Sequence, residues 1–261
     1  MGMPIACIDG KGGLQMLASE LVDRVKELGA ERMAADVRIG LGYTAVCLDD
    51  GACGLAYTLH EGEYESCCVV PAAGRVAGRT AAELVEWLKN PNVTAAAVGL
   101  ATLNALVPAP ETAVEADIAE ILQVRAGDAV GMVGYFGPLV APLRERAGSL
   151  CIFERKSNPE FDILPDTAAG EHLPACDVVI LTASSLLNQT IDRLLELCRG
   201  AREIAVLGPS TPFLPEVFRP YGVTLLSGFQ VVDSAQILKT VSEGGGTRQF
   251  RRAARKLSLR L

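Results

Sequence analysis

Aromatic side chains are scarce in this sequence, at 5% of 261 residues with one tryptophan, and acidic residues outnumber basic ones, 31 to 24. A formal charge of −7 with few stacking rings excludes the usual nucleic-acid binder, which presents a basic face and aromatic platforms. Histidine is rarer still, with only His60 and His172, so a histidine-based triad has few candidates. The G-x-S-x-G elbow, the phosphate-loop lysine and the H-E-x-x-H helix are all missing. No apolar run reaches the ~20 residues that a membrane-spanning helix needs. The longest uncharged stretch, 90–110, is apolar only from Val93 to Val107, contains Thr94, Thr102 and Asn104, and is bracketed by prolines. It reads as a buried helix. The first residues, Met1 to Gly13, lack the blocks of a secretory signal. The expectation is a cytoplasmic protein with no membrane partner.

None of the eight cysteines forms a C-x-x-C pair. Cys7, Cys47, Cys53, Cys151, Cys176, Cys198 and the adjacent Cys67 and Cys68 mostly sit in apolar stretches such as Leu150-Cys151-Ile152. In a reducing compartment they read as small buried hydrophobes. Hydrophobic residues make up 49% of the chain, enough for a sizeable core, and 261 residues suit two units better than one.

Leu14, Leu17, Leu21, Val22, Val25 and Leu28 share one helical face, and Gly29 closes that helix. Strands are expected at Asp36 to Ile39, Thr44 to Leu48 and Gly54 to Leu59, the last two joined by Asp49-Asp50-Gly51. Thr80 and Glu83 form a capping-box pattern for a helix through Leu88, and Thr94 to Leu106 makes another, ended by Pro108-Ala109-Pro110. From Asp128 the rhythm becomes strand–helix alternation. Five short apolar strands are expected: Ala129 to Val133, Leu150 to Phe153, Asp177 to Leu181, Ile204 to Leu207 and Val223 to Leu226. Such strands belong to a parallel sheet covered on both faces. The fold expected is therefore α/β: a small N-terminal α+β domain over residues 1–113 and a doubly wound parallel sheet over 114–245. A basic tail, 246–261, follows. Its Gly244-Gly245-Gly246 reads as a hinge, and Arg248, Arg251, Arg252, Arg255, Lys256 and Arg260 as a solvated helix or fraying end, with a docking role as the minor alternative.

Ligands of open parallel sheets bind beyond the carboxyl ends of the strands, which nominates particular loops. Gly134 and Gly137 flank Tyr135-Phe136 ahead of Pro138 at a helix start. A dinucleotide fingerprint would also want glycine at 132, where methionine stands, so a phosphate cradle and a plain tight turn are equally consistent. Glu154 ends the second strand, where an acid can take a ribose hydroxyl pair or an ion pair with Arg155 or Lys156. Thr182, Ser184, Asn188 and Thr190 crowd one loop, and Gly208 and Ser210 another. Asn188 or Thr190 could cap the following helix, and Asp233 is either a cleft carboxylate or an N-cap. In the first domain, Tyr57 to Cys68 is rich in donors for a borderline metal. His60, Glu63 and Cys67 are the candidates, although their spacing matches no closed zinc site. An exposed acidic loop is the alternative.

Several strings resemble one known family over roughly residues 14–245: Leu41-Gly42-Tyr43-Thr44-Ala45, Gly54-Leu55-Ala56-Tyr57-Thr58 and Ala101-Thr102-Leu103-Asn104-Ala105 in the first domain, and Val130-Gly131-Met132-Val133-Gly134, Leu181-Thr182-Ala183-Ser184-Ser185-Leu186-Leu187-Asn188-Gln189-Thr190, Leu207-Gly208-Pro209-Ser210-Thr211 and Ser227-Gly228-Phe229-Gln230-Val231-Val232-Asp233 in the second. They are similar to the heavy-metal-chelation family. The resemblance implies an enolase-N-terminal-like domain joined to a Rossmann-like domain, and a cleft between them that handles a metal or metal-containing small molecule. Carried over string by string, it places Tyr57, Thr58 and Asn104 in that cleft opposite Glu154, Thr182, Asn188, Thr190, Ser210 and Asp233. The function expected is binding of a transition metal or metal chelate. The alternative is an enzyme that uses S-adenosylmethionine or a nucleotide, gripped by Gly134 to Gly137 and Glu154. A homo-oligomer is left open.

Overall fold

The computed structural model describes residues 16–60, 69–70, 72–156 and 158–261. The chain enters as helix α1 (Met16–Val25), prolonged by a 3-10 turn to Gly29. Strands β1 (Ala34–Ile39), β2 (Tyr43–Leu48) and β3 (Cys53–Tyr57) then form an antiparallel sheet in that order. The β2–β3 turn is tight, with the Leu48 N–H donating to the Ala52 carbonyl at 2.8 Å and Gly51 at φ +87°. Helix α2 (Ala81–Val85) starts at the capping box of Thr80 and Glu83, and α3 (Val93–Leu106) at Asn92, whose side chain accepts from the Ala95 N–H. Of the 14 residues of α3, all but Asn104 are buried. No helix among the described residues is long and apolar enough to cross a membrane.

After the short helix α4 (Ile118–Ile121) comes the larger sheet: β4 (Ala129–Val133), α5 (Gly137–Arg146), β5 (Ser149–Glu154), β6 (Ile163–Pro165), α6 (Ala169–His172), β7 (Val178–Thr182), α7 (Ile191–Leu197), β8 (Glu203–Leu207), α8 (Pro215–Phe218), β9 (Leu225–Val231), α9 (Ser234–Ser242) and β10 (Ala254–Arg260). Its order is β10-β9-β8-β7-β4-β5-β6, with every pair parallel except β9–β10. Side chains alternate between two covered faces. Val130, Met132, Val178 and Ile180 pack under α4 and α5, while Val133, Val179 and Leu181 face the opposite core with α7 and α8. Both faces being dry explains the unbroken apolar runs.

Two strands were not expected. β6 is three residues long and ends at Pro165, too short for a periodicity signal. β10 replaces the expected basic tail. Its residues pair in register from Ala254 with Val231 to Arg260 with Leu225. Arg255, Lys256 and Arg260 mark it as an edge strand, where charge is tolerated, and Leu259 is buried. Arg260 pairs with the buried Glu203 at 2.9 Å, and Ser258 bonds Ser227 at 3.0 Å. β9 also runs beyond the expected Leu226, through Val231.

The two sheets share their cores. α1 packs against α7 and α8, with the Leu17 N–H donating to Asp192 at 3.1 Å, Arg24 pairing with Glu216 at 2.9 Å and the Tyr221 hydroxyl donating to Glu20 at 2.7 Å. One buried cluster runs from Leu17 and Leu100 to Leu181 and Leu214. The small sheet is sandwiched: α3 covers one face, and Ile237, Val241 and Phe250 from the C-terminal region cover Ala45, Cys47, Cys53 and Leu55 on the other. Cys47, Cys53, Cys176 and Cys198 are buried free thiols, as the composition suggests; Cys7, Cys67 and Cys68 lie outside the described residues. The closest backbone approach is at Gly54, where a Cβ would stand 2.1 Å from the Ala101 carbonyl oxygen and 2.3 Å from the Ala105 nitrogen. Since neither contact is a movable side-chain end, Gly54→Ala must push β3 off α3. The expected cost is about 1–3 kcal/mol or more, read as a lower denaturant midpoint with an unchanged slope; an unchanged midpoint would contradict this packing.

Candidate functional site

The parallel strands end in one cleft of about 1680 Å3, larger than the ~300–1,000 Å3 usual for small-ligand pockets. It opens at the switch point, where β4 has β5 on one side and β7 on the other, so the loops leaving β4 and β7 diverge around a crevice. Tyr43, Tyr57, Leu59 and His60 of the small-sheet unit form the facing wall.

The loop after β4 is shaped by Gly134, at φ +92°, where a Cβ would meet the Thr182 Cβ at 2.8 Å. Both the backbone angle and the approach of β7 require glycine there. Its N–H donates to the Phe153 carbonyl at 2.9 Å, and the next N–H, of Tyr135, donates to Glu154 Oε1 at 2.7 Å. Glu154 thus ties the loop of one strand to the end of its neighbour. Met132, where the dinucleotide fingerprint wants glycine, is fully buried in the core. After β7, Thr182 and Ser184 share a hydroxyl bond of 2.9 Å, Ser185 donates to the Thr182 carbonyl, and Thr190 donates to Asn188 at 2.8 Å. Thr190 makes no side-chain cap to α7. After β8, Ser210 is buried and accepts the Tyr57 N–H at 2.8 Å, joining the two walls. Tyr43 meets Tyr57 edge-on at 5.7 Å, and burial pushes its phenol up to about 12, which keeps it a neutral donor.

The cleft therefore gathers Tyr57, His60, Gly134, Gly137, Glu154, Thr182, Ser184, Asn188, Thr190, Gly208 and Ser210. Three expected residues are not in its lining. Thr58 is buried, with its hydroxyl 3.0 Å from that of Thr44; Asn104 donates to the Leu55 carbonyl at 2.8 Å; and Asp233 caps α9 by accepting the Gln236 N–H at 3.0 Å. Of the metal candidates, His60 has Nε2 2.6 Å from the Leu41 carbonyl oxygen, while Glu63 and Cys67 lie outside the described residues. Among the described residues no three His, Cys, Asp or Glu side chains come together to hold an ion. The described donors do not fit a bare metal. Hydroxyls, amides and backbone N–H groups fit the oxygen-bearing organic part of a complex.

Sequence reasoning missed the cations. Arg155, Lys156, Arg193, Arg248, Arg251, Arg255 and Lys256 line the cleft against Glu115, Asp117, Glu154 and Asp166. Four of the seven come from the segment read as a tail. The signal available was the run of basic residues itself, but its direction required β10.

The Glu154 bond predicts that Glu154→Ala speeds hydrogen exchange of the Tyr135 amide about tenfold, at the weak end for a charge-assisted bond near solvent. Glu154→Gln, which keeps the acceptor, should leave it near wild type; equal rates in all three proteins would rule out this tether.

Two family models match, both described as "Putative heavy-metal chelation": DUF4213 over residues 22–107 and DUF364 over residues 117–260. A crystal structure of a DUF364-family protein of unknown function from Desulfitobacterium hafniense DCB-2 superposes with a TM-score of 0.80, 25% identity and coverage of 97% of this chain and 100% of that one. A second, from Pyrococcus horikoshii, gives 0.81 and 25%, covering 94% and 100%. An uncharacterized protein of Methanocaldococcus jannaschii is 26% identical over 132 residues, 50% of this chain and 51% of its own length, so the chain spans about half of that curated relative. Because the DUF364 match alone takes in more than half of the residues, this chain belongs to the DUF364 family.

Proposed function

We propose that the cleft binds a small metal-containing molecule, with the metal carried inside an organic chelate. The observation that carries this reading is the lining: eleven expected site residues meet at the strand ends, with oxygen, amide and N–H groups and no described set of ligands for a naked ion. The family description points to metal, and the donors point to the molecule that wraps it. Thr182, Ser184, Asn188 and Ser210 would hold oxygen or nitrogen atoms of the chelate, while Tyr57 and Tyr135, both partly exposed, offer ring faces. Those two loops and the facing wall are held by bonds of their own, so the walls are preformed and little ordering is needed on binding.

The alternative, an S-adenosylmethionine or nucleotide enzyme, rests chiefly on Glu154, whose Oε1 already holds the Tyr135 amide. No separate feature favours it.

The test is a set of melts with Zn2+, Ni2+ and Co2+ as simple salts and as citrate or nitrilotriacetate complexes, alongside elemental analysis of the anaerobically purified protein. A complex at about a hundred times its dissociation constant should add about 2.7 kcal/mol, and the bare ions less. Metal-free purified protein with no shift from any complex would contradict the proposal.

A further inference from the structure

We infer that the C-terminal segment forms an anion grip, so that the ligand of the cleft carries several oxyanion groups, carboxylate or phosphate; this rests on the cleft being the binding site. Because β10 runs antiparallel to β9, its first residues lie beside the carboxyl end of β9, the same end at which the parallel strands open into the cleft. Arg248 and Arg251 arrive just before it. They flank the fully buried Phe250, which packs edge-on to Tyr43 at 5.1 Å and pins the turn to the small sheet. The cations are therefore presented from an anchored turn and a paired strand, and their direction is fixed by the fold.

The charge balance in the cleft is uneven in a specific way. Three of its four acids have internal work: Glu154 holds the Tyr135 N–H, Asp117 caps α4 through the Ala119 N–H at 3.0 Å, and Glu115 pairs with Arg255 at 3.3 Å, which leaves Asp166 as the fourth. Arg248, Arg251, Lys256 and Lys156 have no ion-pair partner among the described residues. Lys256 is open to the cleft yet walled by protein, and this loss of bulk solvent lowers its pKa, with Asp117 opposing. Unneutralised like charges in one concavity repel each other and focus a positive potential, in a chain whose net charge is −7. An oxyanion-rich ligand relieves that repulsion; a free metal cation would add to it.

Metal-free citrate and inorganic pyrophosphate serve as probes, titrated by calorimetry into wild type, the double variant Arg251→Met/Lys256→Met, and Arg199→Met, an exposed cation outside the cleft. At least one probe should bind wild type and Arg199→Met alike, weaken as ionic strength rises from about 0.01 to 0.15 M, and lose roughly tenfold or more in affinity, about 1.4 kcal/mol, in the double variant. Unliganded melts check that the variants fold, as surface cations allow. No binding of either probe, or equal affinity in the double variant, overturns the inference. Repeating the titration with Ni2+-loaded citrate separates the two proposals. Tight binding unaffected by the double variant would sink the grip alone, while free and loaded citrate binding equally would support the grip and remove the preference for metal.

Discussion

A backbone N–H and one hydroxyl hold the two walls of the cleft at a fixed distance. Tyr57 ends the last strand of the small sheet, and its N–H donates to Ser210, a buried residue in the loop that leaves β8. The bond spans 153 residues of sequence and joins the end of β3 to the loop after β8. Around it the apolar contacts are continuous: α1 lies on α7 and α8, and the C-terminal Phe250 and Val241 close the outer face of the small sheet. The chain thus crosses between its two sheets more than once. The large sheet has its own core on the face under α4 and α5, but its other face and the small sheet share contacts, and the cleft inherits its shape from that dependence.

The chemistry of the site follows from what the fold leaves over. The parallel strands end in hydroxyl-bearing loops, and most of those hydroxyls bond one another or the backbone, which sets their direction. Glu154, Asp117 and Glu115 are spent on structure, while Arg248 and Arg251 before β10 and Lys256 within it have no ion-pair partner among the described residues. On the reading proposed above, a cleft of this composition takes oxygen-rich, negatively charged molecules rather than naked cations. The proposed reading, a metal bound as cargo within its ligand, reconciles a family description centred on metal with a described lining that has no coordination set.

Much of this was legible in the sequence because burial leaves a simple trace. Strands β4, β5, β7 and β8 are short unbroken apolar runs, the Thr80–Glu83 box begins a helix, and the rule for open sheets pointed to the loops at Gly134, Thr182 and Gly208. What stayed hidden depended on partners distant in sequence. Thr58 and Asn104 look like cleft residues until Thr44 takes the one hydroxyl and the Leu55 carbonyl takes the other's amide nitrogen. β10 reads as a solvated tail because Arg255, Lys256 and Arg260 are three of its seven residues and mask the pairing that Ser258 and Leu259 make. Three glycines before it suggest a hinge, yet Gly245 and Gly246 pack against Thr240 and Tyr43.

The claim on which the rest stands is that the two sheets form one cooperative body. Trp87, the single tryptophan, lies in the first unit and reports on it by fluorescence, while the amides of Ile180 and Val206 lie in the central strands of the second. Following both through one denaturant titration, fluorescence for the first and hydrogen exchange for the others, compares the units directly. Coincident midpoints are the predicted result. Two separated transitions would mean that the walls of the cleft come from independent domains, and its geometry would no longer follow from the fold.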